Sequence, residues 1–169
     1  MGITTTAERI SYMLKDAHES IVSAYYLTQE SLDQDDRPCW LVFPEDTSIE
    51  GDSGSTGEEN ITTSYSLAFV GHPYNSSGYH ELENEYEILA REVADSTLEY
   101  FMANKKLQVK NNRGLLPVSL RGLNGVLKME VGGRSAVTLF EREGVNADSF
   151  WGFTMDISVT EIVVYEESV

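Results

Sequence analysis

The most constraining feature of the chain is a stretch from about Glu81 to Lys106 with the apolar periodicity of one amphipathic helix. Four glutamates at its amino end, and lysines at 105 and 106 at its carboxyl end, complement the helix dipole. Its apolar stripe consists of Leu82, Tyr86, Leu89, Ala90, Val93, Ala94, Thr97, Leu98, Tyr100 and Phe101. A stripe of this width covers a sheet. We therefore expect a long core helix, with strands supplied by the rest of the chain.

A second helix is predicted near the start of the sequence, from about Thr5 to Gln29. Thr5 and Glu8 have the spacing of a capping box, and apolar residues then recur at threes and fours as far as Ala24. The following residues 33–38 contain three aspartates and a proline, which disfavour continuation of a helix.

Two strands are predicted between the helices. Cys39–Phe43 is a short continuous apolar run, as expected for a central strand covered on both faces. Residues from Ile61 to Val70 alternate between apolar and small polar side chains, which predicts a second strand paired with the first. Between them, the composition of Pro44–Asn60 is dominated by Glu, Asp, Gly, Ser and Thr, which predicts a flexible acidic loop.

The remaining strands are predicted after the second helix. Residues 127–131 and 137–139 alternate, and Gly132-Gly133-Arg134 between them predicts a hairpin with a three-residue loop. A final strand is expected over residues 151–164. Apolar residues alternate up to Val159 and then resume at Ile162 and Val164, on the opposite set of positions. This shift near Thr160 and Glu161 predicts a bulge or bend at that point.

This order of elements predicts an α+β fold: a mostly antiparallel sheet with two helices, one of them long, packed against it. A length of 169 residues is enough for one hydrophobic core. We therefore expect a single domain over residues 1–169, with the flexible acidic loop at about 44–60.

The charge of the chain limits its partners. Its formal net charge is −16, from 28 acidic and 12 basic residues, so its surface repels phosphate backbones. Seven of the basic residues lie between positions 105 and 134. No apolar run is long enough to cross a bilayer, and the first thirty residues lack the apolar core of a signal peptide. We therefore expect that the protein does not bind nucleic acid tightly and has no membrane partner.

Catalytic motifs are suggested but incomplete. Gly51-Asp52-Ser53-Gly54 matches the residues around a protease nucleophile, yet the next residue, Ser55, stands where that motif needs glycine. Possible zinc ligands are His72, His80, Glu81 and Glu83, but the segment from His80 to Glu83 lacks the two-histidine helical spacing of a zinc site. The single cysteine, Cys39, lies in an apolar run. We expect no enzymatic activity and no catalytic residues, cofactor or metal.

The order and size of the elements resemble the tail terminator, or tail completion, proteins of long-tailed bacteriophages across essentially the whole chain. The elements that carry the resemblance are the helix capped at Thr5, the strands at 39–43 and 61–70, the helix at 81–106 and the closing strand at 151–164. The resemblance implies a structural virion protein located in the tail near the neck, and in the host cytoplasm during assembly. It implies no catalytic residues.

The resemblance also implies a set of partners. A hexameric ring of copies would cap the tail tube protein at the correct length, stop its polymerisation and present a surface to the neck or head–tail connector protein. Six copies would carry six times −16, about −96, and DNA would pass through such a negative lumen without specific binding. For contacts between copies we expect edge strands, three arginines and one aliphatic residue off the apolar stripe. These candidate interface residues are Arg113, Arg121, Arg134 and Ile88.

Three other functions remain open at this point. One is a different phage head–tail connector or neck protein, which shares the structural role. Another is a small cytosolic ligand-binding protein or hydrolase, which would require a deep pocket with convergent polar groups. A third is a cytosolic adaptor that works as a monomer or dimer.

Overall fold

The structure, a computed structural model, describes residues 2–21, 23–26, 37–51, 58–73, 80–104, 126–141 and 149–164. Within these ranges the chain forms two helices and six strands. In chain order they are α1 (Gly2–Ala17), β1 (Ser23–Tyr26), β2 (Cys39–Gly51), β3 (Glu58–Val70), α2 (His80–Ala103), β4 (Val126–Arg134), β5 (Thr138–Glu141) and β6 (Ser149–Val164).

The six strands belong to one sheet, with the strand order β1-β2-β3-β6-β4. β1 runs parallel to β2, and every other pairing among the described strands is antiparallel. β5 pairs with the amino-terminal part of β6, along the same edge that β4 uses further on. Both helices contact the sheet, α1 through β1 and β2 and α2 through β6 and β4. The predicted α+β fold, a mostly antiparallel sheet with two helices against it, is confirmed.

The core lies between the helices and one face of the sheet. A row of three directly paired aromatic residues, Trp40, Phe69 and Phe153, crosses the central strands. Their ring centroids are 5.3–5.5 Å apart, and Trp40 meets Phe153 edge to face at 89°, an arrangement that favours the ring quadrupoles. The helices cover this row and its neighbours with buried side chains from α1 and α2, namely Ala7, Ile10, Met13, Leu14, Ala90, Val93, Ala94 and Phe101.

The apolar stripe of α2 faces the core as its sequence predicts. Val93, Thr97 and Phe101 are buried, and Leu89 and Leu98 are partly buried against the same core. The helix spans His80–Ala103, close to the predicted 81–106. The lysines at 105 and 106 lie outside the described residues.

The first helix is shorter than predicted and begins earlier. α1 runs from Gly2 to Ala17, so Thr5 lies inside the helix and the predicted cap at Thr5 is wrong. The chain then turns, with the Ile21 N–H donating to the His18 carbonyl at 3.1 Å, and enters β1. The prediction of helix as far as Gln29 is therefore also wrong. The Ser-Ala-Tyr-Tyr sequence of β1 pairs with β2, and this pairing outweighs the weak helical spacing of Ile21 and Ala24.

The predicted acidic loop at 44–60 is mostly strand. β2 continues to Gly51 and β3 begins at Glu58, so the two strands form a long antiparallel hairpin. Only residues 52–57 of the predicted loop lie outside the described part of the chain. A register shift between Pro44 and Thr47 accommodates Glu45 and Asp46 as a bulge. Polar side chains do not prevent strand formation where the backbone is paired with a neighbouring strand.

The predicted hairpin between residues 127–131 and 137–139 is not formed. Gly132 and Gly133 lie within β4, and β4 and β5 follow one another along β6 as an interrupted edge strand. The Ser135 N–H donates to the Thr154 carbonyl at 2.8 Å and holds the interruption against β6. The two glycines coincide with a register shift between Val131 and Gly133, so they mark a bulge and not a reversal of the chain.

The expected bulge in β6 near Thr160 and Glu161 is also wrong. The pairing of β6 with β3 is continuous from Gly152 to Val164. The register shift lies in β4, between Val126 and Lys128, opposite these two residues. The apolar phase of the sequence changes because Glu161, and not an apolar residue, occupies the next core-facing position after Val159.

Candidate functional site

A buried polar cluster joins the start of α1 to the end of β6. Arg9 and Glu161 are only 6% and 9% exposed, and the Thr6 hydroxyl donates a hydrogen bond to the Glu161 carboxylate. Burial raises the pKa of Glu161 above its ordinary value, although the Thr6 hydrogen bond and the positive charge of Arg9 oppose the rise. Burial lowers the pKa of Arg9, and the negative charge of Glu161 opposes that change.

Tyr65 of β3 borders the same cluster. It is fully buried, and burial together with the charge of Glu161 raises the pKa of its hydroxyl. The charged groups of Arg9 and Glu161 therefore compensate one another inside the protein and link segments that are far apart in sequence. The arrangement has the character of a structural clamp on α1. The sequence signal for it was available, because alternation along β6 places Glu161 on the same face as Ile157 and Val159.

A second polar contact lies at the opposite end of β3. The ring of His72, just after β3, stacks on Tyr86 of α2 with centroids 4.8 Å apart and planes at 29°. Burial lowers the pKa of His72 below its ordinary value, since the charged ring is desolvated there. The sequence singled out this histidine as a possible metal ligand, whereas in the structure it packs against an aromatic ring.

The lowered pKa of His72 predicts a pH dependence of stability. The unfolded chain takes up a proton near the ordinary pKa of about 6.5, while the folded chain does so only at lower pH. The contribution of the neutral His72 ring to the free energy of unfolding is therefore complete above pH 6.5 and decreases as the pH falls below that value. His72→Phe, which keeps a stacking ring, should flatten the pH dependence of the free energy of unfolding between about pH 7.5 and 5.5, measured by urea titration.

A matched variant separates titration from packing. His72→Gln also removes the proton-binding group but loses the stacked ring, so it should show the same flattening at lower stability. If both variants keep the pH dependence of the wild type, the pH dependence of the free energy of unfolding does not come from His72.

The two helices are joined by a hydrogen bond near their carboxyl ends. The Tyr100 hydroxyl donates to Asp16 Oδ2 at 2.9 Å, and burial and the neighbouring carboxylate raise the pKa of that hydroxyl. Asn104 Nδ2 donates to the Tyr100 carbonyl at 2.9 Å, which satisfies a carbonyl in the last turn of α2. This contact fixes the helices relative to one another over the sheet.

Of the four predicted interface residues, the structure describes Arg134 and Ile88. Arg134, at the end of β4, donates from Nη1 to Asp95 Oδ1 of α2 at 3.0 Å, so within this chain it ties the sheet edge to the helix. Ile88 is 49% exposed and lies off the buried stripe of α2, as the sequence predicts. Arg113 and Arg121 lie outside the described residues. Their roles between copies stay predictions.

The outward face of α2 is acidic. Four of its carboxylates are exposed, and Glu87 forms an exposed ion pair with Arg91 at 2.8 Å. The exposed acidic residues on this face are Glu85, Glu92, Asp95 and Glu99. Ile88 and Met102, each 49% exposed, interrupt this acidic surface. Such a surface repels nucleic acid and favours partners with basic or apolar groups.

The outer edge of β2 is open over much of its length within the described ranges. β1 pairs only with Cys39–Val42, and none of the strands in the described ranges pairs with that edge of β2 beyond Val42. Pro44 lies two residues beyond Val42, and a proline, which has no N–H to donate, suits an edge position. The side chains from Glu45 to Ile49 are exposed, and Ile49 is 61% exposed, the largest value among the exposed large hydrophobic residues of the described chain.

Of the residues considered as catalytic or metal-binding candidates, the structure describes the side chains of His72 and Cys39. His72 is stacked on Tyr86 and Cys39 is buried, while Ser53 lies outside the described residues. Across the described ranges, no three His, Cys, Asp or Glu residues form a group that could hold a metal ion. Neither described helix has the length and apolarity required to span a membrane.

Comparison with known proteins adds no relative from which a function could be transferred. No protein-family model matches the chain, and no characterised protein matches it.

Proposed function

We propose that the chain is a structural virion protein that forms a ring, caps a phage tail tube, stops its polymerisation and joins it to the neck of the capsid. The order of the elements carries the proposal. A helix, the β2–β3 hairpin, the helix α2 and a closing strand, β6, follow one another as in the tail terminator proteins that the sequence resembles. In this comparison α2, which runs from His80 to Ala103, stands for the long helix of that family.

The charge supports passage of DNA through the ring. A subunit of formal charge −16 lends a ring a strongly negative surface, which keeps a phosphate backbone from adhering. The exposed acidic face of α2 is one place where this charge is displayed. The tail tube protein and the neck protein remain the proposed partners, and the virion tail the proposed location.

The shape of the sheet supports assembly. The β2–β3 hairpin extends eight residues beyond the apolar run of β2, from Pro44 to Gly51, and presents exposed side chains at Thr47, Ser48 and Ile49. Projecting strand pairs with open edges are suited to contacts between subunits, because their backbone groups can pair with another chain.

Electron microscopy of phage particles that lack this chain tests the proposed function. Without the terminator we expect overlong tails or tails without heads, because polymerisation of the tube is not stopped and the neck has no surface to join. Supplying the wild-type chain from a plasmid should restore tails of uniform length attached to capsids. Normal, infectious particles in its absence would contradict the proposal.

A further inference from the structure

We infer that copies of this chain join edge to edge, with the outer edge of β2 at Thr47–Ile49 in one copy paired to the outer edge of β4 in the next. This inference rests on the proposed ring and names the surface that closes it. The contact would extend each sheet into its neighbour through backbone hydrogen bonds.

The strand directions fit a ring of this kind. From β2 through β3 and β6 to β4, each strand is antiparallel to its neighbour, so β2 and β4 run in opposite directions. Rotation about an axis parallel to the strands preserves every strand's direction. β4 of one copy would therefore meet β2 of the next in the antiparallel sense and continue the alternation of the sheet. A head-to-tail contact that uses two different edges can close into a ring.

The two edges also lie at matching levels. One row of paired residues crosses the sheet and ends in Ser48 on β2 and in Lys128 on β4. Its inner members, Thr62 and Thr160, are joined by a hydroxyl hydrogen bond of 2.9 Å. Because rotation about the strand axis preserves this level, Lys128 of the next copy would lie beside Ser48.

Charge distinguishes this contact from pairing of two β2 edges. The strand β2 contains no lysine or arginine, and Glu45 and Asp46 are exposed on it. Two such edges repel each other. The strand β4 carries Lys128 and Arg134 against one acidic residue, Glu130, so its formal charge is +1, whereas the three acidic residues of β2 give that strand −3. The acidic edge is therefore complementary to the β4 edge.

One exposed apolar side chain marks the contact. Ile49 is 61% exposed and lies on the part of β2 that would be paired, so the contact would remove much of its surface from water. Pro44 and the bulge at Glu45 and Asp46 precede it, and such features block unspecific pairing along an edge. The stretch from Thr47 onward is left for the specific partner.

Disulfide cross-linking tests this contact with the full chain. Ser48 and Lys128 lie on strands separated by β3 and β6, about 14 Å apart at three strand spacings, beyond the span of a disulfide. A disulfide between the two introduced cysteines of Ser48→Cys/Lys128→Cys therefore joins two copies, and the native Cys39 is buried. On oxidation we expect a ladder of covalent oligomers up to six chains, whereas Ser48→Cys/Glu92→Cys, with its second cysteine on the exposed face of α2, should give none.

The alternative outcomes separate this inference from the proposed function. Dimers from Ser48→Cys alone, formed as readily as those of the double variant, would show β2–β2 pairing and overturn it. A ring detected by light scattering without a ladder would overturn the edge contact and leave the ring. A chain that stays monomeric at every concentration and forms no ladder would overturn both.

A second pair of variants tests the apolar contact. Ile49→Lys places a charge at the paired edge and should raise the concentration required for assembly at least tenfold, without changing the circular dichroism spectrum. Met102→Lys makes a comparable substitution on α2, at a side chain that is 49% exposed, and should assemble as the wild type does. The reverse result would place the contact on α2 and overturn the inference.

Discussion

Replacing Glu161 with alanine is expected to lower the free energy of unfolding by about 3 kcal/mol, because it leaves a buried charge without the opposite charge that compensates it. Glu161 and Arg9 are both buried, so the substitution leaves the guanidinium of Arg9 in the interior without its neighbouring carboxylate. It also removes the acceptor of the Thr6 hydroxyl. Urea or guanidinium denaturation of the purified variant measures the loss directly.

Two controls make this result specific. Glu130→Ala removes an exposed carboxylate paired with Lys128 at 3.4 Å, and exposed pairs contribute less than about 1 kcal/mol. The double variant Arg9→Met/Glu161→Leu removes both buried charges and should be more stable than Glu161→Ala. A loss for Glu161→Ala no larger than that for Glu130→Ala would contradict the assignment of the clamp.

Replacing Phe153 with alanine is expected to cost about 3–5 kcal/mol, the usual range for a buried phenylalanine. Phe153 is 1% exposed and lies within 5.3 Å, centroid to centroid, of both Trp40 and Phe69. Truncation leaves a cavity at the centre of the sheet and removes two ring contacts. The midpoint of chemical denaturation should fall sharply, with a corresponding drop in the melting temperature.

The matched control for this loss is Phe140→Ala. Phe140 also stacks on a phenylalanine, Phe150, at 5.3 Å, but it is 43% exposed on the edge strand β5. Its truncation should cost clearly less, because less surface is returned to water and no closed cavity forms. Equal losses in the two variants would show that the aromatic row does not form the centre of the core.

Local patterns in the sequence identified the elements whose periodicity is set by burial. The stripe of α2 could be read because Val93, Thr97 and Phe101 all face the core at helical spacing. The alternation of β6 from Trp151 to Val159 could be read for the same reason. In both cases one side of the element contacts the core and the other does not, so apolar side chains recur in the sequence at the spacing of a helix or of a strand.

Pairing partners could not be read in the same way. Gly132 and Gly133 have the composition of a turn, yet β4 continues through them because β6 provides hydrogen bonds on both sides of the bulge. The hairpin arms from Pro44 to Gly51 and from Glu58 onward look like a loop because their strand conformation comes from pairing with each other and not from burial. The partner of a strand depends on the whole sheet, which local composition does not encode.

The polar clamp was missed for a different physical reason. Glu161 breaks the apolar alternation of β6, and we interpreted the break as a change of register. The break is chemical, because a carboxylate at a core position is retained where Thr6 and Arg9 compensate it. Those partners lie about 150 residues away in the sequence, so only the folded chain brings them together.

The mass of the purified protein in solution, measured by light scattering over a wide range of concentrations, tests the ring most directly. Six copies of 18.9 kDa predict a species of about 113 kDa. Its fraction should rise with protein concentration, while its mass should not exceed that of six copies. A mass that stays at one or two copies at every concentration would contradict a ring-forming structural protein.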